Sequence, residues 1–381
     1  MYQLQGFDPH TFLANYWQKQ PLLIRGGFVD FIDPLDEHDL AGLAQEPDVD
    51  SRIVSNQGQK WQASQGPFED FEPYCQGKWS LLVQSVDRYL DEASDLLNAF
   101  NFIPRWRLDD LMVSYSVPGG GVGPHVDQYD VFIIQGKGSR RWQVGAAKPL
   151  TELQPHPLLR QVEPFTPILD EVLQSGDILY IPPGFPHAGE ALSDCLNYSV
   201  GFRAPNQQEL LSSFADYVLD QQETSQRHQD PGLSLREFQH EITRQDKEAL
   251  RALMLKAFDG EGFDQWLGSF LSEAGPAPSD NNHEFQMVTT EQISAHLQAG
   301  LPVVRRLDVV PLWQQPDPGQ TDLALYLNEC RLPTRVSLRP WLDKLLGSPA
   351  WQYAGDMQEA DFQALCLLLE RLIRHGYWSL G

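Results

Sequence analysis

The sequence predicts a mainly β core, an antiparallel barrel or sandwich, with a mixed N-terminal cap and helical and α+β regions after it. Three observations carry that prediction. From about residue 105, short strand-like runs replace helical spacing: Leu111 to Val117, Val131 to Ile134, Arg141 to Val144, Ile168 to Leu173, Asp177 to Ile181 and Asn197 to Arg203. Turn-forming clusters separate them, namely Pro118-Gly119-Gly120-Gly121, Gly136-Lys137-Gly138 and Pro182-Pro183-Gly184. No helical pattern lies between the runs, which disfavours parallel βαβ units and favours a rolled antiparallel sheet. A barrel of this kind holds one small ligand in its mouth.

Residues 1 to about 100 read as the cap. Phe12 to Trp17 suggests a short helix, Pro21 to Arg25 a strand, and Asp36 to Ala44 a helix with Leu40 and Leu43 inward. Trp79 to Leu97 has apolar residues at helical spacing (Leu82, Val86, Tyr89, Leu90) and predicts a longer helix. After Arg203 the period is helical again. Gln207 to Gln221 carries Leu210, Leu211, Phe214, Tyr217 and Val218 on one stripe. Ser234-Leu235-Arg236-Glu237 has the form of a capping box and predicts a second helix through Phe238, Ile242, Leu250, Leu253 and Met254, and Phe263 to Leu271 supplies a third stripe. Three such helices bury little alone, so they read as a homodimerisation element.

Ala274 to Asn282 is a linker by composition. Beyond it, a helix over Thr289 to Gly300, strands over Val303 to Leu312 and Ala324 to Leu332, and a helix over Asp361 to His375 predict a winged-helix-like α+β unit. The expected division is therefore 1–205 for the catalytic core with its cap, 206–274 for the helical dimerisation region and 275–381 for the C-terminal unit.

Lys and Arg total 28 against 52 Asp and Glu, a net charge of −24. Such a surface repels nucleic acid and anionic lipid and favours a basic partner. The arginines of the C-terminal region (305, 306, 331, 335 and 339) are not gathered on one helix, which argues against DNA reading. Cys75, Cys195, Cys330 and Cys366 form no CxxC pair and read as free thiols of a reducing compartment. With no leader-like start and no run of about eighteen apolar residues, the expectation is a cytoplasmic protein.

The chemistry-bearing motif is Gly123-Pro124-His125-Val126-Asp127, matched by Ile181-Pro182-Pro183-Gly184-Phe185-Pro186-His187. His125 and Asp127, two apart, share a face if extended. With His187 they offer two imidazoles and one carboxylate, the facial set of non-haem Fe(II) oxygenases, which leaves positions for a co-substrate and dioxygen. A polar loop cluster is the bland alternative. A general cupin site for Mn, Zn or Ni is another, but those sites usually present HxH at the first pair. His156, His228 and His375 have no comparable context.

In Arg140-Arg141-Trp142-Gln143-Val144, Arg140 shares a face with Trp142 and Val144. If that apolar face lines the barrel, Arg140 points inward and requires an anion, for which a carboxylate is the best bidentate match. The distal carboxylate of 2-oxoglutarate meets that need. Ser114 and Ser116 share one strand face, as do Asn197 and Ser199, and parity leaves open whether those faces line a pocket or meet solvent.

His125-Val126-Asp127, Arg140 and His187, in strands of this order, resemble the JmjC-type 2-oxoglutarate oxygenases. The longer strings from Ser116 to His125, Gln128 to Gly136, Gly176 to His187 and Asn197 to Pro205 resemble the bacterial ribosomal oxygenases. The likeness extends to Asp50-Ser51-Arg52, Trp79 to Gln84 and Gly376-Tyr377-Trp378, and is weakest after about residue 220. It implies a double-stranded β-helix core, a helical dimerisation region and a C-terminal winged-helix-like domain. It also implies arginine 3-hydroxylation of a basic large-subunit ribosomal protein, number sixteen. On this resemblance His125, Asp127 and His187 are the Fe(II) ligands, Arg140 the co-substrate anchor, and Ser114 and Asn197 pocket groups. Pro118 and Lys137 stand where some relatives carry an acidic or aromatic contact, so no substrate clamp carries over. Histidine hydroxylation and N-methyl demethylation would use the same iron site, and a non-catalytic binding module is the alternative from another class.

Overall fold

The computed structural model describes residues 2–58, 60–221, 226–259, 261–273, 287–316, 322–328 and 330–381. The linker read at 274–282 lies outside them. The chain forms two units: one of Met1–Ala204, Gly275–Asp308 and Asp343–Gly381, the other of Pro205–Ala274 and Val309–Leu342.

In the first unit the strands are β1 (Leu22–Ile24), β2 (Ser51–Gln57), β3 (Lys60–Gln65), β4 (Lys78–Val83), β5 (Leu108–Ser116), β6 (Asp130–Gln135), β7 (Ser139–Gly145), β8 (Glu152–His156), β9 (Leu159–Val162), β10 (Pro167–Gln174), β11 (Ile178–Ile181), β12 (His187–Ala191) and β13 (Cys195–Phe202). The eight-stranded sheet runs β1-β11-β6-β13-β5-β4-β2-β3, and a smaller one runs β10-β7-β12. All pairings are antiparallel.

The two faces of the large sheet have different tasks. Leu111, Val113, Phe132, Ile134, Tyr180, Tyr198 and Val200 belong to a continuous apolar core with Phe12, Phe28, Leu40 and Leu96 of the cap. The opposite face carries Ser114, Asn197 and Ser199, in register as Asn197 with Ser114 and Ser199 with Met112. Across that face the small sheet contributes Trp142 and Val144 to a second cluster with Val131, Ile133, Leu179 and Ile181.

The cap docks through α1 (Pro9–Asn15) and α2 (Glu37–Leu43), capped by Asp8 and by an Asp36/Asp39 capping box. Phe12 is 1% exposed and packs its ring against Phe132 and Tyr180 of the sheet. Buried Asp130 adds a polar tie, accepting hydrogen bonds from Tyr180 Oη (2.5 Å), Gln18 Nε2 (3.0 Å) and Arg107 (3.1 Å).

The helix expected over Trp79 to Leu97 is a correction. Lys78–Val83 is strand β4, paired on both sides by β2 and β5, and only Asp91–Leu97 forms α3. Ser85, at φ +54° in the left-handed region, breaks the chain between them. A strand buried on both faces reads as a continuous apolar run, which periodicity alone does not separate from a helix. Strands β2, β3, β8, β9 and β12 were not among those expected. Pro155 and the turn at Pro157 obscure the β8–β9 hairpin.

In the second unit, α4 (Gln207–Asp220) follows an Asn206/Glu209 capping box. The helix expected from Ser234 begins later: α5 is Arg244–Leu255, capped by Thr243 with Asp246. Arg236, inside the expected box, instead pairs with Asp246 at 2.5 Å. Helix α6 (Glu261–Ser272) packs Trp266 against Phe214 at 5.0 Å between ring centroids. The first unit regains the chain at α7 (Thr290–Gln298) and β14 (Val303–Arg305). The second unit then takes β15 (Pro311–Gln314), β16 (Asp322–Leu327) and β17 (Cys330–Arg335), a three-stranded antiparallel sheet. After α8 (Arg339–Gly347) come β18 (Ala350–Trp351), α9 (Glu359–Arg374) and β19 (Trp378–Leu380), with β18 and β19 flanking β14.

Replacing Phe12 with Ala removes the ring that joins cap to sheet and leaves a cavity among aromatics. The expected cost is about 3–5 kcal/mol, read from the urea transition that reports the aromatic core; a loss below about 1 kcal/mol would mean that the cap is not part of the cooperative unit.

Candidate metal centre and anion pocket

Two backbone features bring the three candidate ligands together. Gly123 sits at φ +82°, which an L side chain rarely adopts, and its turn delivers His125 beside His187. The two histidines then form an antiparallel bridge, with His125 N donating to His187 O (3.0 Å) and His187 N to His125 O (2.9 Å). Asp127 is tied by its own carbonyl, which accepts from Gly184 N at 2.8 Å. Adjacent registers thus place residues sixty apart on one rim.

The ligating atoms of His125, Asp127 and His187 lie within 4.8 Å of one another. Asp127 Oδ2 is 3.8 Å from His125 Nε2 and 3.5 Å from His187 Nε2. Each imidazole faces a carbonyl through its other nitrogen: His125 Nδ1 is 3.0 Å from Gly123 O, and His187 Nδ1 is 3.0 Å from Phe185 O. A carbonyl can only accept, so the proton sits on Nδ1 and the lone pair of Nε2 faces the centre. Burial, reinforced by the neighbouring His187, pushes the His125 pKa down to about 4. Burial alone would raise Asp127, but contact with His187 and the charge interactions with His125, His187 and Arg52 hold it at about 2. Near neutral pH a neutral His125 and an ionised Asp127 therefore both stand in the form that binds a cation.

These residues open onto a cavity of about 420 Å³. Its walls are the inward face of the large sheet (Arg52, Leu82, Met112, Ser114, Asn197, Ser199), Arg140 and Trp142 from β7, and the β8–β9 hairpin at Leu158 to Arg160. The parity left open by the sequence thus has an answer: Ser114 and Asn197 both face the cavity.

Arg140 is 5% exposed, whereas Arg141 on the other face pairs with Asp170 at the surface. The Arg140 guanidinium touches Ser114 Oγ (3.3 Å), Asn197 Oδ1 (2.9 Å) and Ser116 Oγ (3.2 Å), and stacks over Trp142 at 5.3 Å. All of these partners are neutral, and its buried Nε has none among the described residues. Burial accordingly presses its pKa downward. A buried cation surrounded by neutral acceptors, with donors to spare, is built for an anion that the chain does not supply.

Sequence reasoning left several residues in the cavity or bonded to its arginine without a role. Ser116 shares a face with Ser114, a signal that was legible. Tyr129, Arg52 and Gln84 fall within strings that carry the family likeness, but neither they nor Met112 carry a local signal of what they do in the cavity.

A JmjC-domain family model matches residues 95–210, the stretch that holds β5 to β13. The chain is 43% identical to the ribosomal protein uL16 3-hydroxylase of Escherichia coli K12 over 377 residues, 96% of each chain. It is 41% identical to a probable ribosomal oxygenase of Haemophilus influenzae over 239 residues, 61% of this chain and 57% of that one. Among solved structures, an X-ray structure of E. coli YcfD aligns over all of both chains with a TM-score of 0.89 and 42% identity. The E. coli ribosomal oxygenase YcfD in complex with cobalt and 2-oxoglutarate also aligns over all of both chains, at a TM-score of 0.85 and 41% identity.

Two substitutions separate the halves of this site. Asp127→Ala should weaken Co(II) binding by at least about 100-fold, read from the visible absorption of the bound ion; an unchanged affinity would remove Asp127 from the ligand set. Arg140→Met should abolish 2-oxoglutarate binding in calorimetry without lowering the urea midpoint of the ligand-free protein, because it also removes an uncompensated buried charge; a fall of more than about 2 kcal/mol would show that the neutral partners suffice. The fold, the pocket and the near full-length likeness converge: the chain belongs to the JmjC-domain family of ribosomal oxygenases.

Proposed function

We propose that this protein is a 2-oxoglutarate- and Fe(II)-dependent oxygenase that hydroxylates C3 of an arginine in ribosomal protein uL16. The observation that carries the reading is one cavity joining two imidazoles, one carboxylate and a buried, anion-deficient guanidinium. The donor set fits the metal: two Nε2 lone pairs and a hard oxyanion, with the remaining directions facing the cavity. His125, Asp127 and His187 would hold Fe(II), and Arg140, with Ser114 and Asn197, the far carboxylate of 2-oxoglutarate. Iron bound there supplies the oxidising chemistry with dioxygen, as 2-oxoglutarate is converted to succinate and carbon dioxide.

The chain's own work is geometric. The carbonyls of Gly123 and Phe185 keep a proton on each Nδ1, so both rings stay oriented toward the centre. Asn197 is itself held, donating to Ile134 O (3.3 Å) and Gln135 Oε1 (3.0 Å), which fixes the oxygen it presents to Arg140. Val131, Ile133 and Trp142 add an apolar stretch to the wall of the cavity that holds centre and anchor. Tyr129 and Met112 line the cavity and offer an aromatic and a flexible apolar surface for the stem and planar head of an arginine. A protein of net charge −24 draws a basic ribosomal protein toward it at long range.

The reading places the enzyme in the cytoplasm with its substrate, and among the described residues no helix is long and apolar enough to cross a membrane. We assign 1–205 to catalysis, 206–274 to homodimerisation and 275–381 to a winged-helix-like unit that supports the dimer. The exposed Leu219, Phe238, Ile242 and Met254 of the helical region support the second assignment.

Incubation of the protein with Fe(II), 2-oxoglutarate, oxygen and a uL16 peptide should add one oxygen to one arginine, located at C3 by tandem mass spectrometry and NMR, with succinate formed in equal amount. Formaldehyde release, an oxygen placed on histidine, or no product from a metal-loaded protein would each overturn the assignment.

A further inference from the structure

We infer that Arg52, with Gln84 beside it, reads the main chain of the target segment, Arg52 donating to a carbonyl next to the hydroxylated residue. The inference rests on the proposed function and adds a recognition element on the sheet face that lines the cavity, two strands from Ser114. Arg52 lies on β2 opposite Leu82 of β4, and the Gln84 backbone N–H donates to Asp50 O at 2.9 Å, so both residues belong to one edge of the inward face. Both line the cavity.

Neither side chain is used by the fold. Arg52 Nε is buried without a hydrogen-bond partner, and among the described residues neither the Arg52 guanidinium nor the Gln84 carboxamide is hydrogen bonded. An enclosed arginine donor with no acceptor is costly in a folded protein, and its retention at a ligand cavity points to an acceptor that arrives from outside. The internal candidates are excluded. Arg52 acts at long range on Asp127 but makes no ion pair with it. The distal carboxylate of 2-oxoglutarate is matched by Arg140 and its three neutral partners.

The charge of the target decides what remains. A target guanidinium is repelled by Arg52, so the acceptor is not the residue being hydroxylated. A basic protein has few carboxylates near any one arginine, whereas every residue has a carbonyl. Gln84 offers an NH2 group and a carbonyl acceptor beside the Arg52 donors, the complement of a peptide unit.

Binding of a fluorescein-labelled uL16 peptide to the Mn(II)- and 2-oxoglutarate-loaded protein, followed by anisotropy, tests this. Arg52→Ala should weaken the peptide about 10- to 100-fold, Arg52→Lys should recover part of the loss, and Gln84→Ala should lose less. The Kd of 2-oxoglutarate should be the same in all of them. Replacing one amide beside the target arginine by an ester, a poorer carbonyl acceptor, should weaken the wild type and leave Arg52→Ala indifferent. Peptide affinity unchanged in Arg52→Ala, a loss that falls on 2-oxoglutarate or metal, or equal ester sensitivity in both proteins would overturn the inference. A wild type that neither binds nor hydroxylates the peptide overturns the functional reading itself, and this inference with it; loss confined to the variants cannot be mistaken for that result.

Discussion

A strand offers two faces, and a sheet that must surround a wet, charged pocket needs somewhere else to bury its apolar side. Here the large sheet commits its apolar face to the N-terminal cap, where Phe12, Phe132, Tyr180 and Phe202 pack ring against ring. That packing supplies the hydrophobic stabilisation, so the inward face is free to carry serines, asparagine and arginine. The cap therefore does more than cover an edge. Without it β5, β13 and β6 would have to turn their valines and tyrosines toward the cavity, and a one-residue shift would reverse every side chain the site uses.

On that freed face lies an unusual charge arrangement. Arg140 is buried yet meets only hydroxyl and amide oxygens, and Asp127 is ionised yet has no ion pair with a Lys or Arg among the described residues, only imidazoles beside it. A carboxylate beside Arg140 would make the ligand-free protein more comfortable and would close the site to an anionic co-substrate. A further ligand beside Asp127 would do the same to the metal. In each case the fold leaves a charge without an ion-pair partner from Lys, Arg or a carboxylate among the described residues, and the missing partner defines what binds.

How much of this was legible follows from which forces act locally. Strands β5, β6, β7, β10, β11 and β13 announce themselves because Gly and Pro mark their turns, and the HxD spacing is a statement about one short stretch of chain, of which His125 alone forms a bridge. The register of Asn197 against Ser114 is not local: it depends on a pairing across eighty residues, so parity could name two faces without saying which was wet. Lys78–Val83 misled for a related reason, since burial on both faces erases the alternation that marks a strand. The capping box at Ser234 had the right letters, but Thr243 and Asp246 form the real one and recruit Arg236 from within the expected box. Arg52 falls in a string that carries the family likeness, but its role was not legible because an arginine's purpose is set by its surroundings, and those come from β4 and from the residues of the metal centre.

The charge pattern also reconciles two demands that look opposed. The substrate is basic and the co-substrate is a dianion, yet both must enter one protein whose net charge is −24. Long-range attraction depends on the whole surface, so the acidic exterior favours the large basic partner and works against the small anion. Close in, screening by solvent falls away and the nearest groups decide, so Arg140 at the base of the cavity captures the anion despite the exterior. Arg52, two strands from Ser114 on the cavity-lining wall, then meets an incoming peptide with a positive charge of its own. It can gain only from a carbonyl, never from the guanidinium, and so the peptide is turned with its main chain to that wall and its side chain toward the metal centre. The same sign of charge thus fixes the small ligand in place at one point and the orientation of the large one at another.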